Sequence, residues 1–101
     1  MTRFGQSDMK YRLLYSETSR KQIHRLHPQI KAAVKLQLKK LPEEPFTGRL
    51  LEKELSGYLS LRTKRFRIIY KVKPDDRIVE IHYVGHRKDI YELFKETLKR
   101  L

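Results

Sequence analysis

The chain of 101 residues contains no cysteine and no hydrophobic run long enough to cross a membrane. Without cysteine there can be neither disulfides nor metal sites built from thiolates. A membrane-spanning helix needs about 20 consecutive apolar residues, and no segment approaches that length. The first residues also lack the apolar core of a usual signal peptide. We therefore expect a cytoplasmic protein without membrane contact.

Acidic residues are scarce relative to basic ones. The chain has 12 Asp and Glu against 24 Lys and Arg, a formal net charge of +12 and a pI of about 10.1. This excess favours a polyanionic partner, because cations that neutralise phosphates release condensed counterions. Hydrophobic residues make up 39%, too many for a disordered chain, so one domain is expected over residues 1–101. Residues 1–8 show no periodicity and are expected to be flexible.

Groups that usually hold a cofactor are missing as well. The four histidines lack ligand spacing, and Gly57 and Gly85 are isolated rather than part of a phosphate-binding loop. No carboxylate pair and no grouping of Ser, His and Asp typical of nucleophilic catalysis stands out. We expect neither a metal nor another cofactor.

The N-terminal half is predicted to form one strand and two helices. Residues 9–15 are typical of a strand and residues 17–26 of a short helix. Pro28 suits the first turn of a second helix, predicted over residues 29–41. Its apolar stripe recurs at helical spacing through Ile30, Val34, Leu38 and Leu41. Residues 42–54 are predicted to be a loop.

In the C-terminal half the hydrophobic period changes to two, which predicts strands over residues 57–62, 66–73 and 78–84. Their short connections favour an antiparallel meander. In the last strand, Val79, Ile81 and Tyr83 are expected to share one face. A closing helix is predicted over residues 89–101.

The predicted order β-α-α-β-β-β-α indicates an α+β fold. It consists of a small antiparallel sheet, an N-terminal helical hairpin and a C-terminal helix. The helices are expected to lie against one face of the sheet.

Three segments carry a family resemblance: residues 54–62 (ELSGYLSLR), 66–72 (FRIIYKV) and 84–91 (VGHRKDIY). Through them the chain resembles, over residues 10–101, the RelE/ParE superfamily of bacterial and archaeal toxin–antitoxin systems. The resemblance implies a C-terminal helix that an antitoxin protein can cover or displace. RelE-like members cleave mRNA in the ribosomal A site, whereas ParE-like members poison DNA gyrase.

The resemblance also implies roles for individual residues. The RelE arginines fall on Arg67 and Arg87. The two lysines that RelE enzymes often carry on the preceding strand fall on Tyr58 and Ser60, which is a departure from the family pattern. The catalytic tyrosine of some members lies about one helical turn after Tyr91, which is therefore a looser match.

Metal-free cleavage of RNA by its own 2′-hydroxyl needs a base, an acid and cations beside the phosphate. Arg67 and Arg87 suit the phosphate, because a guanidinium offers paired donors and keeps its charge. His86 is the candidate acid or base, since histidine exchanges protons near neutral pH. Tyr91 could share that role or stack on a base. Further cations expected to bind RNA are Arg62, Lys64, Arg65 and Lys88.

Each of these candidates also has a purely structural interpretation. Arg67 could form an ion pair with Glu80 or Glu54 instead of binding RNA. His86 could be an ordinary surface histidine. Tyr91 could simply pack on the sheet.

Two active functions remain open on these residues. The first is a toxin that cleaves mRNA on the ribosome and is neutralised by a cognate antitoxin with an acidic segment. The second is a gyrase poison without nuclease activity, favoured by the uncharged Tyr58 and Ser60. A decayed, non-toxic family member is a third possibility. The apolar side of the last helix is expected either to bind the antitoxin or to belong to the core through Ile90, Leu93, Phe94 and Leu98.

Overall fold

The computed structural model describes residues 10–100 as five strands, three α-helices and one short 3₁₀ helix. In chain order these elements are β1 Arg12–Tyr15, α1 Glu17–His24, α2 Pro28–Leu38, β2 Arg49–Leu50, the 3₁₀ helix Lys53–Leu55, β3 Leu59–Thr63, β4 Phe66–Lys73, β5 Ile78–His86 and α3 Ile90–Lys99. The expectation for residues 1–8 lies outside the described residues, as do Met9 and Leu101 at the ends of two predicted elements. Between residues 10 and 100, none of the helices has the length and apolar character needed to pass through a bilayer.

All five strands join one sheet in the order β1-β5-β4-β3-β2. The three strands predicted from the period of two do form an antiparallel meander, with Leu59 opposite Tyr70. The first strand lies beside β5 and runs parallel to it, with Arg12 opposite Ile78. The α+β class is therefore confirmed, but the sheet is mixed rather than wholly antiparallel.

Local capping explains where the hairpin helices begin. Ser16 precedes α1, and its Oγ accepts a hydrogen bond from the Ser19 backbone N–H at 3.0 Å. His27 precedes α2, and its Nδ1 accepts from the Gln29 N–H at 3.2 Å, while Pro28 takes the first helical position. These contacts satisfy backbone donors that a helix leaves free at its start. Both helices end a few residues earlier than predicted.

The helices α1 and α2 pack on one face of the sheet. Their buried side chains Ile23, Val34 and Leu38 belong to one cluster with strand residues Leu59, Ile68, Tyr70, Val79, Ile81 and Val84. Each large apolar side chain buried in this way contributes about 1.5–3 kcal/mol. This cluster is the main core of the domain.

The C-terminal helix α3 covers the opposite face. Its residues Ile90 and Phe94 form a second buried cluster with Ile69 and Leu55. Neighbouring residues of a strand point to opposite faces, so Ile68 and Ile69 of β4 belong to different clusters. The expectation that all helices lie against one face is wrong.

A β-bulge in β5 changes which side chains face each cluster. Ile69 lies opposite Tyr83 and Tyr70 opposite Ile81, so His82 is an extra residue between them. Ile81 belongs to the hairpin core as predicted, whereas Tyr83 packs beside α3. The prediction that Tyr83 shares the face of Ile81 is wrong, because one inserted residue reverses the alternation.

The predicted loop over residues 42–54 contains ordered elements. The edge strand β2 pairs with β3, and Arg49 lies opposite Ser60. A strand of two residues is too short to show a period of two, which is why the sequence predicts a loop there. Residues directly opposite in an antiparallel pair share a face. Arg49 and Ser60 therefore lie on one face of the sheet, and the Ser60 hydroxyl meets α3 there.

Candidate active site

Six predicted site residues line one open cleft where β4 begins and β5 ends. The cleft has a volume of about 470 Å³ and is lined by Arg65, Arg67, His86, Arg87, Lys88 and Tyr91. All four predicted catalytic residues are in this set, together with two of the predicted RNA-binding cations. The other two cations, Arg62 on β3 and Lys64 in the β3–β4 turn, are exposed and do not line the cleft.

Backbone contacts hold the two basic segments of the cleft together. The Arg87 N–H donates to the Arg65 carbonyl at 2.7 Å and so ties the residues after β5 to the turn before β4. Lys64 makes that turn with a positive φ of 54°. Arg67 and Gly85 lie opposite each other in the β4–β5 register. Arg65 and Arg67 are thereby brought to the same cleft as Arg87, although they are distant from it in the sequence.

Arg67 is partly buried beside the ring of Tyr91. Its guanidinium carbon lies 5.9 Å from the ring centroid, within the range of a cation–π contact. The Arg67 Nε is buried and makes no hydrogen bond to any residue between 10 and 100. Glu80 and Glu54 pair with lysines, so the ion pair considered for Arg67 is not formed in this part of the chain. A buried donor without an acceptor is costly, and a phosphate oxygen would satisfy it.

Tyr91 holds its hydroxyl at a defined position beside the cleft. The hydroxyl donates to the Ser60 Oγ at 3.0 Å, and the Arg49 Nη2 donates to the same tyrosine oxygen at 3.5 Å. The ring itself packs against the cluster around Phe94. Tyr91 therefore packs on the sheet and also lines the cleft.

His86 is an exposed residue whose ring is held from two sides. Its Nδ1 lies 3.3 Å from the Lys88 backbone N–H, which donates to it. The ring also contacts Phe66 edge-on, with 5.6 Å between the ring centroids. The nitrogen left for a substrate is Nε2.

Arg49 is a site residue that the sequence did not predict, and Ser60 was predicted only as a departure from the family pattern. Both contact the Tyr91 hydroxyl. No local pattern marks Arg49, because its strand is only two residues long. Its position becomes visible only through the pairing of β2 with β3.

The apolar residues of α3 divide into two groups. Ile90 and Phe94 are buried in the second core cluster, and Leu98 packs against it. Leu93 is 46% exposed. Of the two alternatives left open for these residues, Ile90 and Phe94 follow the core interpretation, and they are out of reach of a partner while α3 lies on the sheet.

A separate polar group lies on the α3 face of the sheet. The Glu80 carboxylate is 3.1 Å from the His82 Nε2 and 3.5 Å from the Lys73 Nζ. Burial alone would raise the pKa of Glu80, but the His82 hydrogen bond and the Lys73 charge outweigh it and hold this pKa below its ordinary value. The Tyr58 ring contacts His82 edge-on and lies 5.3 Å from the Lys71 Nζ. Tyr58 therefore belongs to this group. It does not line the cleft that contains Arg67 and Arg87, called the arginine cleft below.

Metal ligands do not converge in the described part of the chain. Among residues 10–100, no three His, Cys, Asp or Glu side chains come together in a way that could hold a metal ion.

Two comparisons of the sequence with known proteins each match most of the chain to a toxin. A family model described as the ParE toxin of type II toxin–antitoxin system, parDE, matches residues 11–91. Toxin RelG of Mycobacterium tuberculosis is 36% identical over 85 residues, which cover 82% of this chain and 98% of that relative.

Solved structures are similar over most of the chain. A chain of the toxin–antitoxin complex RelBE2 from Mycobacterium tuberculosis has 34% identity and a TM-score of 0.70, covering 77% of this chain and 99% of that one. A mutant of the E. coli toxin RelE in the free state has a TM-score of 0.73 with 20% identity, covering 91% of this chain and 98% of that one. At that identity the E. coli structure shows the fold alone.

Proposed function

Because the chain belongs to the RelE/ParE family of toxins from type II toxin–antitoxin systems, we propose that it cleaves mRNA on the ribosome without a metal. The observation that carries this proposal is the cleft in which Arg67, His86 and Arg87 meet Tyr91. Ribosomes and mRNA are cytoplasmic, so the proposal includes action in the cytoplasm.

In this proposal Arg67 and Arg87 bind the scissile phosphate. Arg67 offers a buried Nε donor that no described residue satisfies, and Arg87 lines the same cleft as an exposed cation. Charge gathers on the phosphate oxygens as the 2′-oxygen attacks, and prearranged donors stabilise that charge. Arg65 and Lys88 extend the positive surface along the cleft, and Arg62 and Lys64 lie beyond it.

Tyr91 and His86 exchange the protons. Once the Tyr91 hydroxyl has lost its proton to solvent, its oxygen takes the proton of the 2′-hydroxyl, and the electron pair left on the 2′-oxygen attacks phosphorus. The bond from phosphorus to the 5′-oxygen breaks, and protonated His86 gives its Nε2 proton to the departing oxygen. The products are a 2′,3′-cyclic phosphate and a 5′-hydroxyl. The Lys88 N–H donates to Nδ1 while the His86 ring is neutral, and this contact is given up when the ring takes its second proton; the nitrogen that exchanges the proton with RNA is Nε2.

The test is cleavage of a defined mRNA on purified ribosomes, with RNA 5′ ends mapped after a short reaction. Arg67→Ala and Arg87→Ala should each lower the rate about 100-fold or more, as removal of a transition-state donor does. Arg12→Ala, an exposed arginine on the far edge strand, is the matched control and should cleave like the wild type. Normal cleavage and growth arrest by both cleft variants would refute the assignment.

A gyrase poison is the second candidate function. The matching family model is described as a ParE toxin, and the uncharged Tyr58 and Ser60 stand where RelE enzymes often carry lysines. Expression of such a protein would induce DNA damage and leave mRNA intact. The same 5′-end mapping therefore separates the two activities, and a decayed member would show neither.

We also propose a cognate antitoxin with an acidic segment as the partner. A relative with 34% identity was solved in a toxin–antitoxin complex, and the net charge of +12 suits an acidic protein. On α3, the antitoxin could contact two apolar side chains: Leu93, which is exposed, and Leu98, which is partly buried beside the second cluster. Ile90 and Phe94 would take part only if α3 left the sheet.

A further inference from the structure

Arg49 is a cation at the edge of the sheet whose position is fixed by several backbone contacts. It lies opposite Ser60 in the β2–β3 register. On one side of it, the Gly48 N–H donates to the Tyr70 hydroxyl at 2.8 Å. On the other side, the Leu51 N–H donates to the Tyr58 carbonyl at 2.9 Å. The short strand is thereby held to the core, although its own side chains are exposed.

The side chain of Arg49 reaches the Tyr91 hydroxyl. The Arg49 Nη2 lies 3.5 Å from the Tyr91 oxygen, and the hydroxyl points its own proton at the Ser60 Oγ at 3.0 Å. A guanidinium has donors and no acceptor, so Arg49 can contact the oxygen only as a donor. When the oxygen loses its proton, the Ser60 hydroxyl can rotate and donate to it as well. The oxygen of Tyr91 thus lies between two groups that can donate to it.

Among residues 10–100, Arg49 is the cation that hydrogen-bonds to this oxygen. Arg67 lies against the ring face, 5.9 Å from its centroid. Lys95, which lines the neighbouring cleft of about 450 Å³ together with Arg49 and Tyr91, pairs with Glu54 at 3.8 Å and Glu92 at 3.4 Å. Its carboxylate partners offset its charge, whereas Arg49 makes its contact with a neutral hydroxyl.

We propose that Arg49 is a positioning residue for RNA cleavage that acts through Tyr91. It orients the tyrosine oxygen and stabilises the phenolate that takes the 2′-hydroxyl proton. In that step the O–H bond of the ribose breaks, a new O–H bond forms on Tyr91, and the negative charge passes to the attacking 2′-oxygen. This role rests on the proposed nuclease function and adds to it a residue outside the arginine cleft.

The experiment is a double-mutant cycle on ribosome-bound mRNA under single-turnover conditions. Arg49→Ala should slow cleavage at least about tenfold, and Arg49→Lys should recover part of that loss because it restores a charged donor. In a Tyr91→Phe background, Arg49→Ala should cause no further loss, since the oxygen on which it acts is gone. Binding of an RNA with a 2′-deoxy scissile nucleotide should stay within about twofold of the wild type.

Controls make each outcome decisive. Arg12→Ala should match the wild type in rate, and Arg49→Ala should keep the melting temperature of the wild type because the side chain is exposed. An unchanged rate for Arg49→Ala refutes the role. An equal loss with and without the Tyr91 hydroxyl also refutes it and makes Arg49 a direct RNA contact. If the wild type itself leaves mRNA intact, the nuclease function fails and this role with it.

Discussion

At the scale of single residues, Gly48 shows how little room the edge strand has. A Cβ built at this position would lie 2.6 Å from the Tyr70 hydroxyl oxygen and 2.9 Å from the Ser60 carbonyl oxygen. Contacts that short do not occur, and the carbonyl belongs to the backbone of β3. Burial raises the pKa of Tyr70, and the hydrogen bond from Gly48 lowers it to a smaller extent. The tyrosine therefore remains a neutral hydroxyl that joins the core to β2.

We expect Gly48→Ala to lower the free energy of unfolding by about 1–3 kcal/mol, the usual cost of overpacking. Urea unfolding followed by circular dichroism measures this change. Because the same substitution would displace Arg49, it should also slow mRNA cleavage. Gly85→Ala is the matched control, since its Cβ would meet the Ile90 side chain at an ordinary 3.5 Å. Equal stability of the two variants would contradict the close approach at Gly48.

The sequence placed Arg67 and Arg87 at one candidate site through the family resemblance, and their roles there stay a prediction. Arg67 and Arg87 lie in strand and strand-end motifs, and both were placed in one cleft by the fold. Arg49 could not be found in this way, because two residues of strand contain no repeat. Its contact with Tyr91 depends on the pairing of β2 and β3, which is a property of the folded chain.

At the scale of elements, α3 presents two kinds of apolar side chain. Phe94 is buried against the sheet, while Leu93, the preceding residue, is 46% exposed. Adjacent positions of a helix point about 100° apart, which explains the difference. The sequence predicted apolar residues at helical spacing, but it could not say which of them the core would take.

We expect Phe94→Ala to lower the free energy of unfolding by about 3–5 kcal/mol, because it leaves a cavity in the second cluster. Leu93→Ala should change stability by less than about 0.5 kcal/mol but weaken binding of the cognate antitoxin about tenfold. Chemical denaturation and calorimetric titration measure the two effects. Leu36→Ala, an exposed leucine on α2, is the control and should change neither. Antitoxin affinity that is insensitive to Leu93 would remove this residue from the interface.

The bulge at His82 is the element that sequence patterning missed most clearly. Alternation predicts faces correctly up to Ile81, and the inserted residue then places Tyr83 on the opposite side. An extra residue in a strand leaves no compositional mark when its neighbours are also apolar or aromatic. His82 itself stays on the face of Glu80, as the alternation predicts, and contacts Tyr58 there.

At the scale of the whole molecule, the net charge of +12 opposes a compact fold, because like charges repel within it. Carboxylates that pair with cations offset part of this repulsion. Glu80 is such a group: it lies opposite Lys71 in the register and pairs with Lys73 and His82. The fold should therefore depend on Glu80 remaining ionised.

The sign of this dependence follows from the pKa of Glu80, which folding holds below its ordinary value of about 4.5. A carboxyl with a lowered pKa stabilises the fold fully above the unfolded-state pKa and loses that contribution as the pH falls through the folded-state pKa. Glu80→Gln should thus be less stable than the wild type at pH 7, by up to about 1 kcal/mol. The difference should shrink as the pH falls below 4.5 and disappear once the pH is below the folded-state pKa of Glu80. Urea unfolding at several pH values measures it, and the exposed Glu44→Gln serves as the control. A deficit that persists unchanged in acid would mean that Glu80 stabilises the sheet by packing rather than by charge.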